Sequence, residues 1–212
     1  MCGRFAFWND KNRVQEHYEL DNAPDFKTSY NITPSNEIPV IRQGKNRELA
    51  NLHWGLIPHW ARDTKLQPIN ARADSIFKKP FFRESIKKRR CLVPVNGYYE
   101  WKKQNNHKQP YFIRLKDQEL FSFAGIWDSW DNPNGTLQSC AIITTESAPA
   151  TAHIHGRMPV IISADDYDTW LTDGGDKFLK PYAGEIEAWP VSTQVNNPRH
   201  QGENLVHPVR VQ

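Results

Sequence analysis

Cys2 carries the chemistry that the sequence suggests most directly. A small second side chain favours removal of the initiator Met1, as in proteins whose second-position glycine becomes the mature N-terminus. The mature chain then holds an α-amine and a thiol on adjacent carbons, with reference pKa values of about 8 and about 8.5. This pair can condense with an aldehyde to an imine and close to a thiazolidine ring. Alternatively, the amine can act as a general base for the thiol in hydrolysis. On position alone, an ordinary structural residue is the favoured interpretation.

Asn70 and Arg72 form a second candidate group within residues 68–74. Asn70 offers a donor and an acceptor, and Arg72 offers a forked cationic donor. Two residues apart in an extended segment, their side chains project to the same face and could hold a phosphate or polarise a carbonyl. The structural alternative is that Asn70 caps a helix and Arg72 is solvated.

Glu100 and His155 are candidates for proton transfer. Glu100 lies in the aromatic segment 97–101, where a buried carboxylate is costly unless it is paired. Burial would raise its pKa and suit it to general acid–base work, whereas a nearby α-ammonium or Arg would lower it. The structural alternative is an ion pair with a structural Arg. His155 could titrate near neutral pH, although a structural role at a strand entry stays open. His153 and His155 lack companion ligands at familiar spacing, so no metal is expected.

A set of aromatic and basic residues is typical of proteins that hold single-stranded nucleic acid. Aromatic rings stack on bases while Arg and Lys contact phosphates. The structural alternative is an aromatic core patch with solvated charges. The set comprises Trp54, His59, Trp60 and Arg62, with Arg4 and Arg72 elsewhere in the chain.

Length and composition favour one domain over residues 1–212, with a sizeable core. The net charge of +3 does not by itself imply nucleic acid. Three cysteines without a CxxC motif argue against a disulfide framework or a structural zinc, and Cys91 and Cys140 are expected in the core. The sequence has neither a signal-peptide pattern nor an apolar run of transmembrane length, which predicts a cytoplasmic protein.

Hydrophobic patterns and turn residues predict an α+β fold with a strongly curved, barrel-like, mostly antiparallel sheet and a few short helices. A turn is predicted at Asn105-Asn106, a loop over residues 54–60, and a surface tail from about residue 194. Helices are predicted over residues 10–21, 74–88, 147–153 and 163–171, the last capped by Ser163. Strands are predicted over residues 37–43, 48–54, 91–102, 111–115, 120–127, 139–144, 158–162 and 188–193.

Six motifs in order resemble those of the SRAP (SOS response-associated peptidase) family. Each motif alone is modest, but together they span the chain from Cys2 to about residue 209 and make the match specific. The motifs are Met1-Cys2-Gly3-Arg4-Phe5, Tyr30-Asn31-Ile32-Thr33-Pro34, His53-Trp54-Gly55-Leu56-Ile57-Pro58, Ile69-Asn70-Ala71-Arg72, Gly97-Tyr98-Tyr99-Glu100-Trp101 and His155-Gly156-Arg157-Met158-Pro159.

The resemblance implies a single SRAP domain that recognises abasic sites in single-stranded DNA. The N-terminal Cys of that family forms a thiazolidine crosslink with the opened abasic sugar and shields the lesion during replication. The expected activity is crosslinking and lyase-like, with peptidase activity limited to self-processing. No cofactor or membrane is expected, the default is a monomer, and a preference for single-strand/double-strand junctions stays open. The alternatives are a thiol autopeptidase with Cys2 as nucleophile and a non-catalytic single-strand binder.

The resemblance also assigns roles to residues. Cys2 matches the nucleophile, Asn70 the residue that positions the sugar and the N-terminus, Glu100 the acid that contacts the α-amine, and His155 the residue near the sugar and phosphate. A bacterial member of the family has two adjacent Trp where this chain has His59-Trp60, so the wedge between bases is expected to be weaker. The expected DNA-binding residues are Arg4, Pro34, Trp54, His59, Trp60, Arg72 and Arg157.

Overall fold

The computed structural model describes residues 2–104, 107–133 and 135–210, so the turn predicted at Asn105-Asn106 lies outside the described residues. The strands are β1 (Phe5–Phe7), β2 (Ser29–Ile32), β3 (Glu37–Gln43), β4 (Arg47–Trp54), β5 (Asn70–Arg72), β6 (Arg90–Val95), β7 (Gly97–Gln104), β8 (His107–Leu115), β9 (Phe121–Asn132), β10 (Gly135–Glu146), β11 (Arg157–Pro159), β12 (Ile161–Ile162) and β13 (Ile186–Pro190). The α-helices are α1 (Lys11–Tyr18), α2 (Ser85–Lys88), α3 (Pro149–Ala152) and α4 (Tyr167–Thr172).

Two sheets form the framework. The smaller sheet has the strand order β13-β8-β7-β1-β2, and the larger has the order β11-β10-β4-β3-β6-β9-β12, with β5 beside β10. The long strands β9 and β10 also pair with each other, so the larger sheet curls back on itself. Among the described strands, parallel pairing is limited to β10 with β4 and β10 with β5. The prediction of an α+β fold with a curved, mostly antiparallel sheet is confirmed.

The main core lies against both sheets. Its buried residues come from strands of each sheet and from α1 and α4, including Phe5, Trp54, Phe123 and Trp170. A second, smaller cluster covers the other side of the smaller sheet, where the tail contributes the fully buried Val195 and Leu205. The tail is therefore packed onto this sheet through apolar side chains. Within the described ranges, no helix is long and apolar enough to cross a membrane.

Helix α1 forms where the sequence predicts it. The Asp10 side chain accepts from the Arg13 N–H over 2.9 Å and caps the N-terminus. Val14 and Tyr18 lie one helical turn apart and are both fully buried. Glu19 adopts a left-handed conformation, φ 53°, and ends the helix.

The helix predicted over residues 74–88 is mostly wrong. The segment forms a series of turns, and only the four residues Ser85–Lys88 are α-helical. Pro80 supplies no N–H and disfavours a helical conformation at Lys79, which explains the interruption. After the short helix, the Arg90 guanidinium donates to the carbonyls of Ile86 and Lys87 over 2.7 and 3.0 Å. These bonds satisfy carbonyl groups at the C-terminal end of α2.

The single strand predicted over residues 91–102 is also wrong, because it divides at Asn96 into β6 and β7. The first part joins the larger sheet and the second joins the smaller sheet. Asn96 is fully buried, accepts from the Trp8 N–H over 2.8 Å and donates to the Glu119 carbonyl over 2.6 Å. These bonds satisfy the amide at the point where the chain changes sheets.

Two further elements differ in detail. The strand predicted over residues 158–162 breaks at Val160, whose N–H donates to the Ile143 carbonyl. The helix predicted to start at Ser163 begins as a 3-10 turn, Ala164–Asp166, before α4, and Ser163 makes no side-chain cap bond.

Candidate functional site

Cys2 begins an extended segment that leads into β1 and runs beside β7. The Tyr99 N–H donates to the Arg4 carbonyl over 3.0 Å, which extends the pairing of the two strands towards the chain start. Cys2 has no exposed surface. Burial raises the pKa of its thiol, the charge of Glu100 raises it further, and the Arg4 backbone N–H acts in the opposite direction. The sulfur is therefore a protonated thiol at neutral pH.

The other two cysteines lie apart from this chemistry. Cys91 and Cys140 are fully buried free thiols in the main core, as predicted. Burial raises the pKa of each thiol, so both are inert side chains at neutral pH.

Asn70 contacts the start of the chain directly. It opens β5, whose parallel pairing with Ile142 of β10 brings it to the edge of the larger sheet. Its side-chain Nδ2 donates to the Cys2 carbonyl over 2.8 Å. Its Oδ1 is buried and accepts no hydrogen bond from the described residues. The alternative of a helix cap is wrong, because Asn70 lies in a strand and its amide holds the N-terminal segment.

Glu100 is a buried carboxylic acid close to Cys2. Its side chain is 4% exposed, in β7. Burial raises the pKa of Glu100, and the neighbouring His155 acts in the opposite direction. A carboxyl group whose pKa is raised from its ordinary acidic value is better suited to general acid–base catalysis than an exposed carboxylate.

His155 lies next to Glu100 and is more accessible. Its Nδ1 is 3.9 Å from Glu100 Oε1, and its side chain is 33% exposed. The same nitrogen lies 3.1 Å from both the N and the O of Arg157, so the turn into β11 fixes the ring orientation. In the part of the chain that the structure describes, no group of three His, Cys, Asp or Glu side chains could hold a metal ion.

Glu100 and His155 line an open groove of about 560 Å³. Trp101 and Asn196 form part of its wall, and Lys103 and Lys108 add positive charge. The structure thus brings the four predicted catalytic residues together: Asn70 on Cys2, Glu100 near Cys2, and His155 beside Glu100.

Arg72 and Arg157 line a second groove of about 630 Å³. Three acidic residues line the same groove: Asp74, Glu146 and Asp176. Asp74 accepts from Arg72 over 2.6 Å and lies 3.8 Å from the Arg157 guanidinium, so it partly neutralises both cations. Arg157 also donates to the Thr144 carbonyl over 2.6 Å. Arg72 is the more accessible, with a side chain 52% exposed against 18% for Arg157.

Arg4 is tied into the fold more than the sequence predicted. Its guanidinium donates to Asn31 Oδ1 over 2.6 Å and to the Val195 carbonyl over 2.5 Å, and it lies over the Trp101 ring. These contacts join the N-terminal segment to the tail. Pro34 is half-buried in the loop after β2.

The prediction for Trp54 is corrected by its burial. The indole has no exposed surface, packs edge-on against Phe5 at 5.1 Å and donates to the Ile69 carbonyl over 3.0 Å. It is a core residue, and its amphipathic type gave the misleading signal.

Trp60 and His59 are accessible in the loop after Pro58. Trp60 is 50% exposed and packs edge-on against Phe81. His59 Nδ1 lies 3.2 Å from the buried Asp128, and the Arg89 guanidinium donates to the same carboxylate over 3.1 Å. The sequence reasoning missed Asp128 and Asp74. The signals available were an acid directly after the apolar run of residues 123–127 and an acid two residues after Arg72.

Comparisons with known proteins find relatives that are similar in sequence and in fold. A model of the family described as SOS response associated peptidase (SRAP) matches residues 1–198. The Bacillus subtilis protein named abasic site processing protein YoqW is 38% identical, over 97% of this chain and 99% of its own length. The Xenopus tropicalis abasic site processing protein HMCES is 34% identical, over 94% of this chain and 76% of its own. A solved structure from Bacteroides thetaiotaomicron superimposes with a TM-score of 0.86 at 29% identity, covering 99% of this chain and 100% of the other.

The two-sheet α+β framework places Cys2 against Asn70 and near the buried Glu100. The match over residues 1–198 identifies the class: the chain belongs to the SRAP family.

Proposed function

We propose that this protein binds abasic sites in single-stranded DNA and, after removal of Met1, forms a covalent thiazolidine crosslink through Cys2. The relatives named as abasic site processing proteins support the choice of substrate. The observation that carries the proposal is the position of Cys2, whose carbonyl is held by Asn70 over 2.8 Å beside the buried Glu100. The product shields the lesion from further chemistry in the DNA damage response.

The reaction begins with the opened abasic sugar, which carries an aldehyde at C1′. The Cys2 α-amine attacks C1′ and gives a carbinolamine. Loss of one water then forms the imine, with Glu100 and His155 moving the protons. The Cys2 sulfur next adds to the imine carbon: a C–S bond forms, the C=N π pair passes to nitrogen, and the thiol proton ends on that nitrogen. The net change is aldehyde plus aminothiol to thiazolidine plus one water.

The imine has a competing fate. It can permit β-elimination and cleavage of the DNA strand, which is the lyase-like branch of the activity. Ring closure by the thiol removes the imine and protects the strand. The ratio of crosslink to cleavage therefore reports on the sulfur step separately from the amine step.

The grooves around the site suggest how the strand binds. Lys103 and Lys108 line the groove at Glu100, and Arg72 is an accessible cation in the second groove, which also holds acidic side chains. Trp60 is exposed enough to stack on a base. A single domain acting as a monomer on single strands or at strand junctions, in the cytoplasm, completes the proposal.

A denaturing gel with an abasic single-stranded oligonucleotide tests the proposal. The mature protein should give a shifted band, and Cys2→Ala or a chain that retains Met1 should not. Cys2→Ser keeps the amine and should favour strand cleavage over a stable crosslink. Cys91→Ser is the matched control and should crosslink normally, because that thiol lies in the core. A crosslink of equal yield from Cys2→Ala overturns the proposal.

The family description favours a second candidate, a peptidase with Cys2 as nucleophile, its amine or His155 as base and Asn70 as an oxyanion donor. The buried, protonated state of the thiol argues for confining such activity to self-processing. Cleavage of any peptide other than its own Met1 or a short leader would favour this candidate. Equal, non-covalent binding of intact and abasic strands would indicate a simple binder instead.

A further inference from the structure

Tyr98 is a buried polar residue with no role in the proposed steps of imine formation and ring closure. It lies two residues before Glu100 in β7, so the two side chains project to the same face of the strand. Both Tyr98 and Cys2 belong to the main buried cluster. The Tyr98 ring packs edge-on against Phe123 at 5.6 Å, which fixes its orientation.

The Tyr98 hydroxyl makes no hydrogen bond with the residues that the structure describes, and the residue is only 1% exposed. A buried hydroxyl without a partner destabilises a folded protein, so such groups call for a functional explanation. A phenylalanine would fill the same space without that penalty. The Tyr98 hydroxyl is therefore available to donate a hydrogen bond inside the core.

The neighbouring Tyr99 provides the contrast. It projects to the opposite face of β7 and packs in the second cluster against Phe112 at 5.1 Å. Its hydroxyl donates to the Tyr30 carbonyl over 2.8 Å. The two adjacent tyrosines thus differ in one respect that matters here: Tyr99 has its partner, and Tyr98 faces the reactive N-terminal segment without one.

We propose that Tyr98 is a positioning residue whose hydroxyl donates a hydrogen bond to the Cys2 sulfur as the thiazolidine ring closes. The inference rests on the proposed function. It assigns a hydrogen-bond donor to the step in which the Cys2 sulfur adds to the imine carbon. Negative charge develops on sulfur as the thiol loses its proton to the imine nitrogen and the C–S bond forms. The Arg4 backbone N–H is one donor to this charge, and Tyr98 is a second.

The protonation state of Tyr98 fits this role. Burial raises the pKa of the phenol well above its usual value, and the charges of Cys2 and Glu100 raise it further. The phenol therefore keeps its proton throughout and acts as a hydrogen-bond donor rather than as a base.

Tyr98→Phe tests the proposal, with Tyr99→Phe as the matched control on the other face of the same strand. Mature proteins are mixed with an abasic oligonucleotide, and three quantities are measured: imine formation by borohydride trapping, the ratio of thiazolidine crosslink to strand cleavage, and the Tm. For Tyr98→Phe we expect unchanged imine trapping, a crosslink-to-cleavage ratio lower by roughly 3- to 10-fold, and an equal or higher Tm. Tyr99→Phe should keep the wild-type ratio.

Each other outcome counts against the proposal in a different way. A wild-type ratio in Tyr98→Phe, with a normal wild-type crosslink, overturns the role of Tyr98 and leaves the proposed function intact. A fall in Tm with equal losses of imine and crosslink shows a structural hydroxyl and overturns it too. Absence of any imine or crosslink in the wild type overturns the proposed function itself.

Discussion

Glu100 is a buried acid whose proposed role in proton transfer conflicts with the stability of the fold. Burial raises its pKa above the ordinary value of 4.5, so the folded state favours the protonated acid. The stability contributed by this group is fully present below that ordinary value and is lost as the pH rises through the raised pKa. Above the raised pKa, the ionised carboxylate therefore lowers the stability of the folded state.

Glu100→Gln is predicted to separate the two properties. The variant should have a larger free energy of unfolding than the wild type at neutral pH. This difference in stability should shrink as the pH falls towards about 4, where the carboxyl group is protonated in both the folded and the unfolded state. Its crosslinking should slow at all pH values, because the amide cannot transfer protons. Urea unfolding at several pH values measures the first effect. A stability difference that grows on acidification would contradict the assigned pKa direction.

Asn70 is predicted to act through the orientation of the chain start. Asn70→Ala removes the hydrogen bond to the Cys2 carbonyl and should slow crosslinking by roughly 10- to 100-fold, as expected when a reacting group loses its alignment. Asn51→Ala is the control, because Asn51 makes a similar bond to the Asp25 carbonyl at the surface. Single-turnover rates on gels provide the measurement, and equal rates for the two variants would exclude the role of Asn70.

At the scale of elements, the loop after Pro58 is held in place by contacts to Asp128 in β9. Asp128 is 2% exposed in β9 and holds His59 Nδ1 at 3.2 Å, while Arg89 and Ser85 also donate to it. This buried carboxylate fixes the loop at His59, and the next residue, Trp60, stays exposed.

Substitutions of Trp60 and Trp54 are predicted to affect different properties, DNA binding for Trp60 and stability for Trp54. Trp60→Ala should weaken binding to single-stranded DNA by roughly 1–3 kcal/mol, the effect of one lost base–aromatic stack, with an unchanged Tm. Trp54→Ala should destabilise the fold by about 3–5 kcal/mol, because it removes a wholly buried indole. Fluorescence anisotropy and thermal unfolding measure the pair. A folded Trp60→Ala with wild-type affinity would remove Trp60 from the binding surface.

The elements that sequence patterns predicted well are those set by local chemistry. Helix α1 has its Asp10 cap, and β3 has the predicted bounds of residues 37–43. The division at Asn96 could not be predicted, because it depends on hydrogen bonds from Trp8 and to Glu119, which are remote in sequence. Residue chemistry alone identified the candidates Cys2, Asn70, Glu100 and His155, and the family resemblance assigned their expected roles. Tyr98 and Asp128 emerged only from burial and from missing or converging hydrogen bonds.

At the scale of the whole molecule, charge distribution matters more than the net charge of +3. Lys103 and Lys108 line the groove at Glu100, whereas the second groove combines two arginines with three acids: Arg72, Arg157, Asp74, Glu146 and Asp176. DNA binding should therefore weaken with salt through release of counterions from the strand.

Arg72→Ala is predicted to lower the dependence of DNA affinity on salt. Loss of one phosphate contact should reduce the log–log slope by about 0.7 for a single strand. Arg13→Ala is the matched control: its side chain is 50% exposed and pairs with a nearby acid, as Arg72 does at 52% exposure. Binding titrations over a range of salt concentrations measure the slope. Equal slopes for the two variants would show that Arg72 contacts no phosphate.

The intact mass of the protein after mixing with an abasic oligonucleotide tests the central claim most directly. We predict a protein that lacks Met1 and a stable adduct whose mass equals protein plus oligonucleotide minus one water. The same experiment on Cys2→Ala and on a chain that retains Met1 should show no such stable adduct. A stable adduct of equal yield from either of these chains, or none from the mature wild type, would contradict the assignment of Cys2.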